Sequence, residues 1–243
     1  MRLDGVEIKV SLRGSQAAEA LDALGLGEHG QRRSISFLED ATVGVELPLL
    51  RQGIVLRVRQ TDGEDDDATV KLRPCRRSQL TQGWASEEDG DGWRLRVEED
   101  WAGARRVLAT SCVADLPEGR IAEVRARTAP VHRLFGEGQR QFLSECAGMR
   151  IELDALTLLP AVAATRWQDV RVGDVDEVVV ERWTLDDLDF LELSIRKKSV
   201  DKAESAQRKL EQELAALDLE RDDDTSKTER VLRHLLGLSP DGA

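Results

Sequence analysis

Aromatic residues, histidines and cysteines are all scarce in this chain of 243 residues. Aromatic side chains make up 4% of it, tyrosine is absent, and the five tryptophans are better explained as packing residues than as platforms for stacking. The three histidines are too scattered for a metal cluster, and the three cysteines match neither a disulfide framework nor a zinc pattern. A reduced, cytoplasmic protein is therefore the simplest expectation.

The sequence also lacks long apolar runs and an excess of positive charge. No stretch approaches the roughly 20 apolar residues that span a bilayer, and residues 1–5 carry no sign of a signal peptide. The net charge of −12 argues against general affinity for nucleic acid or anionic membranes. A local basic pocket is still compatible with this charge, because 35 lysines and arginines are present. The hydrophobic fraction of 40% is enough to form a core.

What the chain does contain is a series of short runs in which charged and aliphatic residues alternate. In the first, residues 6–12, Glu7 and Lys9 share one face of a strand and the aliphatic side chains share the other. The pattern recurs at residues 53–60, 68–73, 93–100, 119–127, 178–183 and 190–196. The charged faces are either the wet faces of a sandwich or the lining of a polar cavity in a closed barrel. The pattern alone leaves both open.

The other segments provide connections and an outer layer. Helices are predicted at residues 15–24, 105–114, 138–148 and 201–217, and a final helix capped by Thr225 runs to Leu236. Residues 33–38 read as a strand, and residues 151–167 as one or two strands interrupted at Pro160. The acidic turn at 62–67 is predicted to be a solvated hairpin loop rather than a metal site. The apolar stripe at 201–217 either packs on the sheet or forms the surface of a homodimer.

In their order and spacing, four of these runs resemble the signatures of the CYTH domain. They are Glu7-x-Lys9, residues 53–59, residues 68–73 and residues 191–194. This triphosphate tunnel metalloenzyme superfamily includes inorganic triphosphatases, thiamine triphosphatases and class IV adenylate cyclases. The resemblance spans residues 5 to 215 approximately. It implies an α+β, mainly β fold: a closed eight-stranded antiparallel barrel with a charged lumen, flanking helices and a helical C-terminal extension. We accordingly divide the chain into a tunnel domain, 1–217, and a helical tail, 218–243.

The resemblance also implies a role for individual side chains in such a tunnel. The residues matching phosphate-binding positions are Arg57, Arg59, Lys71, Arg73, Arg96, Arg125 and Arg127. Those matching ligands for Mg²⁺ or Mn²⁺ are Glu7, Glu98, Asp100, Glu181 and Glu192. Lys9 would position or activate the attacking water. The chemistry is consistent, because arginine forks suit phosphate oxygens and carboxylates suit hard divalent cations.

One residue departs from the family pattern. The N-terminal ExExK signature would place its first glutamate at position 5, which is Gly5 here, and Asp4 is one residue out of register. Metal-dependent hydrolysis of a triphosphate, either inorganic tripolyphosphate or an organic triphosphate, is the leading hypothesis for function. The alternatives are cyclisation of ATP to cyclic AMP, action on another organic phosphate ester, and a catalytically weakened module that binds phosphate or polyphosphate. Each implies a phosphate-bearing small molecule or polyphosphate as partner, rather than nucleic acid or membrane.

Overall fold

A computed structural model describes residues 3–27, 29–42, 46–86, 89–222 and 226–239. Ten strands, β1 to β10 in chain order, are Gly5–Arg13, Gln31–Glu39, Ile54–Thr61, Asp67–Leu72, Arg94–Ala102, Arg105–Asp115, Thr157–Leu158, Val162–Val172, Val175–Leu185 and Leu188–Lys197. Seven α-helices, α1 to α7, are Ser15–Ala23, Pro48–Arg51, Gln82–Ser86, Arg120–Arg125, Glu137–Cys146, Val200–Ala216 and Lys227–Leu235. Short 3₁₀ helices occur at Arg77–Gln79, Val131–Leu134 and Leu153–Ala155.

Nine of these strands close into a barrel, in the order β3-β4-β6-β5-β1-β10-β9-β8-β2, with β2 pairing back to β3. The tenth, β7, has two residues and pairs with β2. The predicted closed, mainly β barrel with flanking helices is confirmed. It has nine strands rather than eight, and one neighbouring pair, β1 with β5, is parallel. The tight turn at Gly103, whose φ of 56° suits glycine, folds β6 back onto β5.

Two sequence-based assignments are wrong. The helix predicted at 105–114 is strand β6, which pairs with both β4 and β5. The strand predicted at 119–127 is helix α4, because Ile121 and Val124 lie three residues apart and are buried together on one helical face. Arg125 and Arg127 are therefore not on a barrel strand.

The two faces of β1 divide the apolar core from the charged lumen. Val6, Ile8 and the other aliphatic side chains of the strand are buried in a cluster with Leu210 and Leu214 of α6. Because strand side chains alternate, Glu7 and Lys9 point to the opposite face, into the barrel. The apolar stripe of α6 thus packs against the outside of the barrel wall.

Helix α7 lies at an end of the barrel. Val231 and Leu232 are buried in a cluster with Phe37 and Trp183, whose side chains point into the lumen. The Ser226 hydroxyl caps the helix, accepting a hydrogen bond of 3.2 Å from the Glu229 N–H. Thr225, the predicted cap, lies outside the described residues. Across the described ranges, no helix combines the length and the apolar character needed to cross a membrane.

Candidate functional site

The barrel encloses a cavity of about 270 Å³. Its lining contains six cationic side chains and four carboxylates, although the chain as a whole is strongly acidic. The cations are Lys9, Arg57, Lys71, Arg73, Arg105 and Lys227, and the carboxylates are Glu181, Glu192, Asp222 and Glu229. A larger groove of about 960 Å³ is lined by residues between His132 and Asp154, outside the barrel. The enclosed cavity is the candidate site, because it concentrates positive charge where water is restricted.

Asp100 on β5 binds three cations at once. Its Oδ1 lies 2.8 Å from the Lys9 Nζ, and its Oδ2 lies 3.2 Å from the Lys71 Nζ and 2.8 Å from the Arg73 Nε. The side chain of Asp100 is only 1% exposed. A carboxylate that is already surrounded by three positive charges has no room for a metal ion beside it.

These charges hold one another in fixed ionisation states. Burial would raise the pKa of Asp100, but Lys9, Lys71 and Arg73 lower it well below its usual value. Burial would likewise lower the pKa of Lys9, but Glu7, 2.7 Å away, and Asp100 raise it above its ordinary value. This raised pKa favours the protonated form of Lys9, a hydrogen-bond donor, over the neutral amine that would act as a base on water.

Among the cavity-lining cations that are not exposed, Arg57 on β3 has the fewest partners. Its Nη2 donates to the Thr69 hydroxyl at 3.2 Å, and its Nε is buried without a hydrogen-bond partner. No ion pair joins it to a carboxylate in the part of the chain that the structure describes. Burial, and then the nearby cations, lower the pKa of both Arg57 and Lys71. This region therefore carries positive charge that an anion would neutralise.

Glu181 and Glu192 face each other as a direct pair on β9 and β10. The Lys227 Nζ, from α7, lies 3.6 Å from the Glu181 Oε2 and 3.4 Å from the Glu192 Oε1. Arg33 and the indole N–H of Trp183 also donate to Glu181, at 3.1 and 2.8 Å. Burial would raise the pKa of Glu181, but Lys227 and these other donors lower it to about 2.

Glu7 on β1 and Glu98 on β5 form a second carboxylate pair, and Lys9 links its Glu7 to Asp100. The Arg196 Nε lies 2.7 Å from the Glu98 Oε1, and its Nη2 lies 3.6 Å from the Glu7 Oε1. Burial raises the pKa of Glu98, against the effect of Arg196. This pair too is bridged by a side-chain cation.

The five carboxylates predicted to bind Mg²⁺ or Mn²⁺ do not fit a metal site as they are placed. They fall into two groups, Glu7, Glu98 and Asp100 on one side and Glu181 with Glu192 on the other, and lysine or arginine neutralises each group. Within the described ranges, no three carboxylate, histidine or cysteine side chains come together in a way that could hold a metal ion. Carboxylate oxygens are the right chemical type of ligand for a hard cation, but ammonium and guanidinium groups occupy the positions next to them.

Gly5 does not leave a gap in a metal shell. A Cβ at this position would come within 2.7 Å of the Lys197 carbonyl oxygen on β10, so the strands approach too closely for any side chain. Asp4 does not replace the missing ligand, because its Oδ2 accepts a hydrogen bond of 2.8 Å from the Val97 N–H.

Not every predicted phosphate-binding residue is available in the cavity. Arg59 is paired with Asp67 at 2.6 Å, and Arg96 with the exposed Asp89 at 2.7 Å. Arg125 donates to Ser36, which faces away from the lumen, at 2.7 Å. Arg127 is exposed just after α4. The predicted residues that do line the cavity are Lys9, Arg57, Lys71, Arg73, Glu181 and Glu192.

Sequence reasoning missed several charged residues of the lumen. Arg33 shares a face with Phe37 in the predicted second strand, so the alternation could have found it. Arg105 could have been found only if the turn at Gly103 had been recognised. Asp67 belongs to the acidic run that was interpreted as a solvated loop. Lys227 carries no local signal, because its partners lie on strands that are distant in sequence.

The chain forms a closed barrel with outer helices and a charged lumen, which is the architecture that the resemblance implied. Among solved structures, the chain is similar to HpAC1 from Hippeastrum, a "putative adenylyl cyclase" with a dominant triphosphatase activity. The identity is 15%, the TM-score is 0.59, and the match covers 96% of this chain and 97% of that one.

A "putative adenylate cyclase" from Bacillus halodurans is similar at 13% identity and a TM-score of 0.58, over 94% of this chain and 97% of that one. At such identities the likeness shows the fold alone. No family model matches the chain, and no curated protein matches it in sequence.

Proposed function

We propose that the tunnel binds the triphosphate group of a small molecule, or inorganic tripolyphosphate, and that the protein hydrolyses it. The observation that carries the proposal is Arg57, a buried guanidinium that lines the cavity without a carboxylate partner in the described chain. Burying a charge without a partner is costly, so such a residue points to an anionic ligand. Phosphate oxygens match the planar donors of arginine.

The neighbouring side chains extend this anion site along the lumen. Lys71 and Arg73 share Asp100 with Lys9, and Lys9 is also paired with Glu7, which leaves three positive charges against two carboxylates. Arg105 also lines the cavity. Several fixed cations are what a triphosphate requires, and fixed cations also stabilise the charge on a phosphoryl group during transfer. The fold shared with HpAC1 is compatible with the hydrolytic part of the proposal.

Phosphate release tests the proposal directly. The purified protein is incubated with tripolyphosphate, ATP or thiamine triphosphate, each with Mg²⁺, with Mn²⁺ and with a chelator. We expect release from at least one of them, and the chelator series measures any dependence on metal. In the same ATP reactions, cyclic AMP in place of phosphate would favour the cyclase reading instead.

A matched pair of arginine variants tests the role of the cavity. Arg57→Ala should lower kcat/KM by about 10²–10³-fold, because a buried donor to the transferred phosphoryl group is lost. Arg150→Ala removes a guanidinium whose side chain is 89% exposed, and should leave the rate unchanged. Equal rates for both variants would contradict the assignment of the cavity.

A binding module without turnover is the second candidate function. It is favoured by one observation, that every predicted metal-binding carboxylate is already paired with a cation. Calorimetry distinguishes the two candidates: tight binding of tripolyphosphate that is lost in Arg57→Ala, with no phosphate release under any condition, would support binding alone.

A further inference from the structure

Lys227 occupies a position that is unusual for a lysine. Its side chain is 6% exposed, and its ammonium lies between the carboxylates of Glu181 and Glu192. The same Nζ lies 3.9 Å from the centre of the Trp183 ring, within the range of a cation–π interaction. Two carboxylates and an aromatic face thus converge on one positive charge.

The two carboxylates need such a charge. Glu181 and Glu192 are directly opposite each other on neighbouring strands, where like charges repel. Their mutual repulsion is relieved by a cation held between them, and either a divalent metal or an ammonium group can supply it. In this chain the ammonium comes from α7.

The position of Lys227 is set by the packing of its helix. Val231 and Leu232, on the next turn of α7, are buried against Phe37 and Trp183 inside the end of the barrel. The Ser226 cap fixes the start of the helix immediately before Lys227. The ammonium is therefore held in place by the fold and is not one rotamer of a mobile surface lysine.

Glu181 has little capacity left for a metal. Its Oε1 accepts from Arg33 and its Oε2 accepts from Trp183, in addition to the nearby ammonium. A metal ion at this pair would have to displace these donors and tolerate the positive charge of Lys227.

We infer that Lys227 takes the place of a divalent cation between Glu181 and Glu192, so that α7 excludes Mg²⁺ and Mn²⁺ from this carboxylate pair. The positive charge that the resemblance to the triphosphate tunnel superfamily assigned to a metal ion is supplied here by a side chain of α7. This exclusion does not depend on which anion the cavity binds, so failure of the triphosphatase assay would leave it intact.

Manganese binding tests the exclusion. It is measured by calorimetry and by the electron paramagnetic resonance signal of free Mn²⁺. Lys227→Met keeps a side chain of similar length without the charge. We expect it to bind one more Mn²⁺ per chain than the wild type, about tenfold or more tighter than the weak surface sites. The added site should disappear in the double variant Lys227→Met with Glu192→Gln.

Two controls keep the outcome decisive. Lys227→Arg retains the positive charge and should gain no Mn²⁺ site, and Lys202→Met removes an exposed lysine of α6 and should behave as the wild type. The wild-type protein provides a measurement that does not depend on how the Lys227 variants fold. If it binds Mn²⁺ at a site that Glu192→Gln abolishes, or if folded Lys227→Met gains no site, the inference is overturned.

Discussion

Asp100 and the Glu181–Glu192 pair are both buried carboxylate sites in the same lumen, but their cations come from different parts of the chain. Asp100 is neutralised by Lys9 on β1 and by Lys71 and Arg73 at β4. These partners lie in or next to hydrogen-bonded strands of the barrel. Glu181 and Glu192 share Lys227, which belongs to a helix packed into the end of the barrel.

This difference distinguishes the ion pairs that hold the barrel strands together from the ion pairs that the C-terminal helix adds. The cations around Asp100 cannot leave without opening the strands that carry them, whereas Lys227 leaves if a helix of nine residues moves. We therefore expect the Asp100 cluster to determine the stability of the barrel. The contact of Lys227 with Glu181 and Glu192 should instead determine which ions can bind these two carboxylates.

The largest expected effect is that of Asp100→Asn. Removing the charge leaves three half-buried cations, of which only Lys9 keeps a carboxylate partner, Glu7. Such losses cost about 3–5 kcal/mol in the free energy of unfolding. Urea denaturation measures this. The matched control is Asp115→Asn, at a carboxylate that is 54% exposed and pairs with Arg94, where the expected cost is about 0–1 kcal/mol. Similar losses in the two variants would mean that burial does not determine how much each ion pair contributes to the free energy of unfolding.

Gly5→Ala tests the rigidity of β1, the strand that carries Glu7 and Lys9. The added methyl group would come within 2.7 Å of the Lys197 carbonyl oxygen, so β1 or β10 must shift. We expect unfolding to become easier by about 1–3 kcal/mol, as for other overpacked sites. At Gly27 the same change meets no atom within 4 Å, and Gly27→Ala should be nearly neutral.

A Gly5→Glu variant tests whether position 5 affects activity as well as stability. If Gly5 were simply a lost metal ligand, Gly5→Glu would restore activity. The close approach of Lys197 predicts the opposite, a less stable protein with no gain in phosphate release.

Lys227→Met should cost less than Asp100→Asn, about 1–2 kcal/mol, because the side chains of the two glutamates that it leaves are 16% and 20% exposed, against 1% for Asp100. Urea denaturation is again the measurement, with Lys202→Met as the control that should be neutral. A loss as large as that of Asp100→Asn would show that α7 is as integral to the barrel as the strands are.

The sequence predicts the residues around Asp100 better than it predicts the contact of Lys227 with Glu181 and Glu192. The reason is that the first set is marked by local alternation, whereas the second depends on segments that are distant in sequence. Glu7, Lys9 and Lys71 alternate with aliphatic residues, and this period of two predicts a strand without any knowledge of its neighbours. In residues 119–127 the alternation is broken by Ile121, which pairs with Val124 at helical spacing, and there the strand prediction is wrong.

Pairing between distant segments left no such local signal. The parallel contact of β1 with β5 and the position of Lys227 both depend on tertiary packing. The ion pairs that neutralise Glu98 and Glu192 could not be predicted for the same reason, and they are what separates this lumen from a metal site. The role of each lumen residue in binding stays a prediction until it is measured.

Acid should weaken the two carboxylate sites to different extents, and this is the smallest effect that we expect. Lys227 and the other donors lower the pKa of Glu181 to about 2 in the folded protein. A carboxyl group with a depressed pKa stabilises the fold above its unfolded pKa of about 4.3, and this stabilisation is lost as the pH falls toward the folded value. The unfolding free energy should therefore fall between about pH 5 and pH 3 by less in Glu181→Gln than in the wild type. The pKa of Asp100 is lowered further, by three cations, so the stabilisation that Asp100→Asn removes should keep falling below about pH 3, where that of Glu181 levels off. Parallel curves for the wild type and both variants would mean that neither carboxylate is linked to folding through its buried cations.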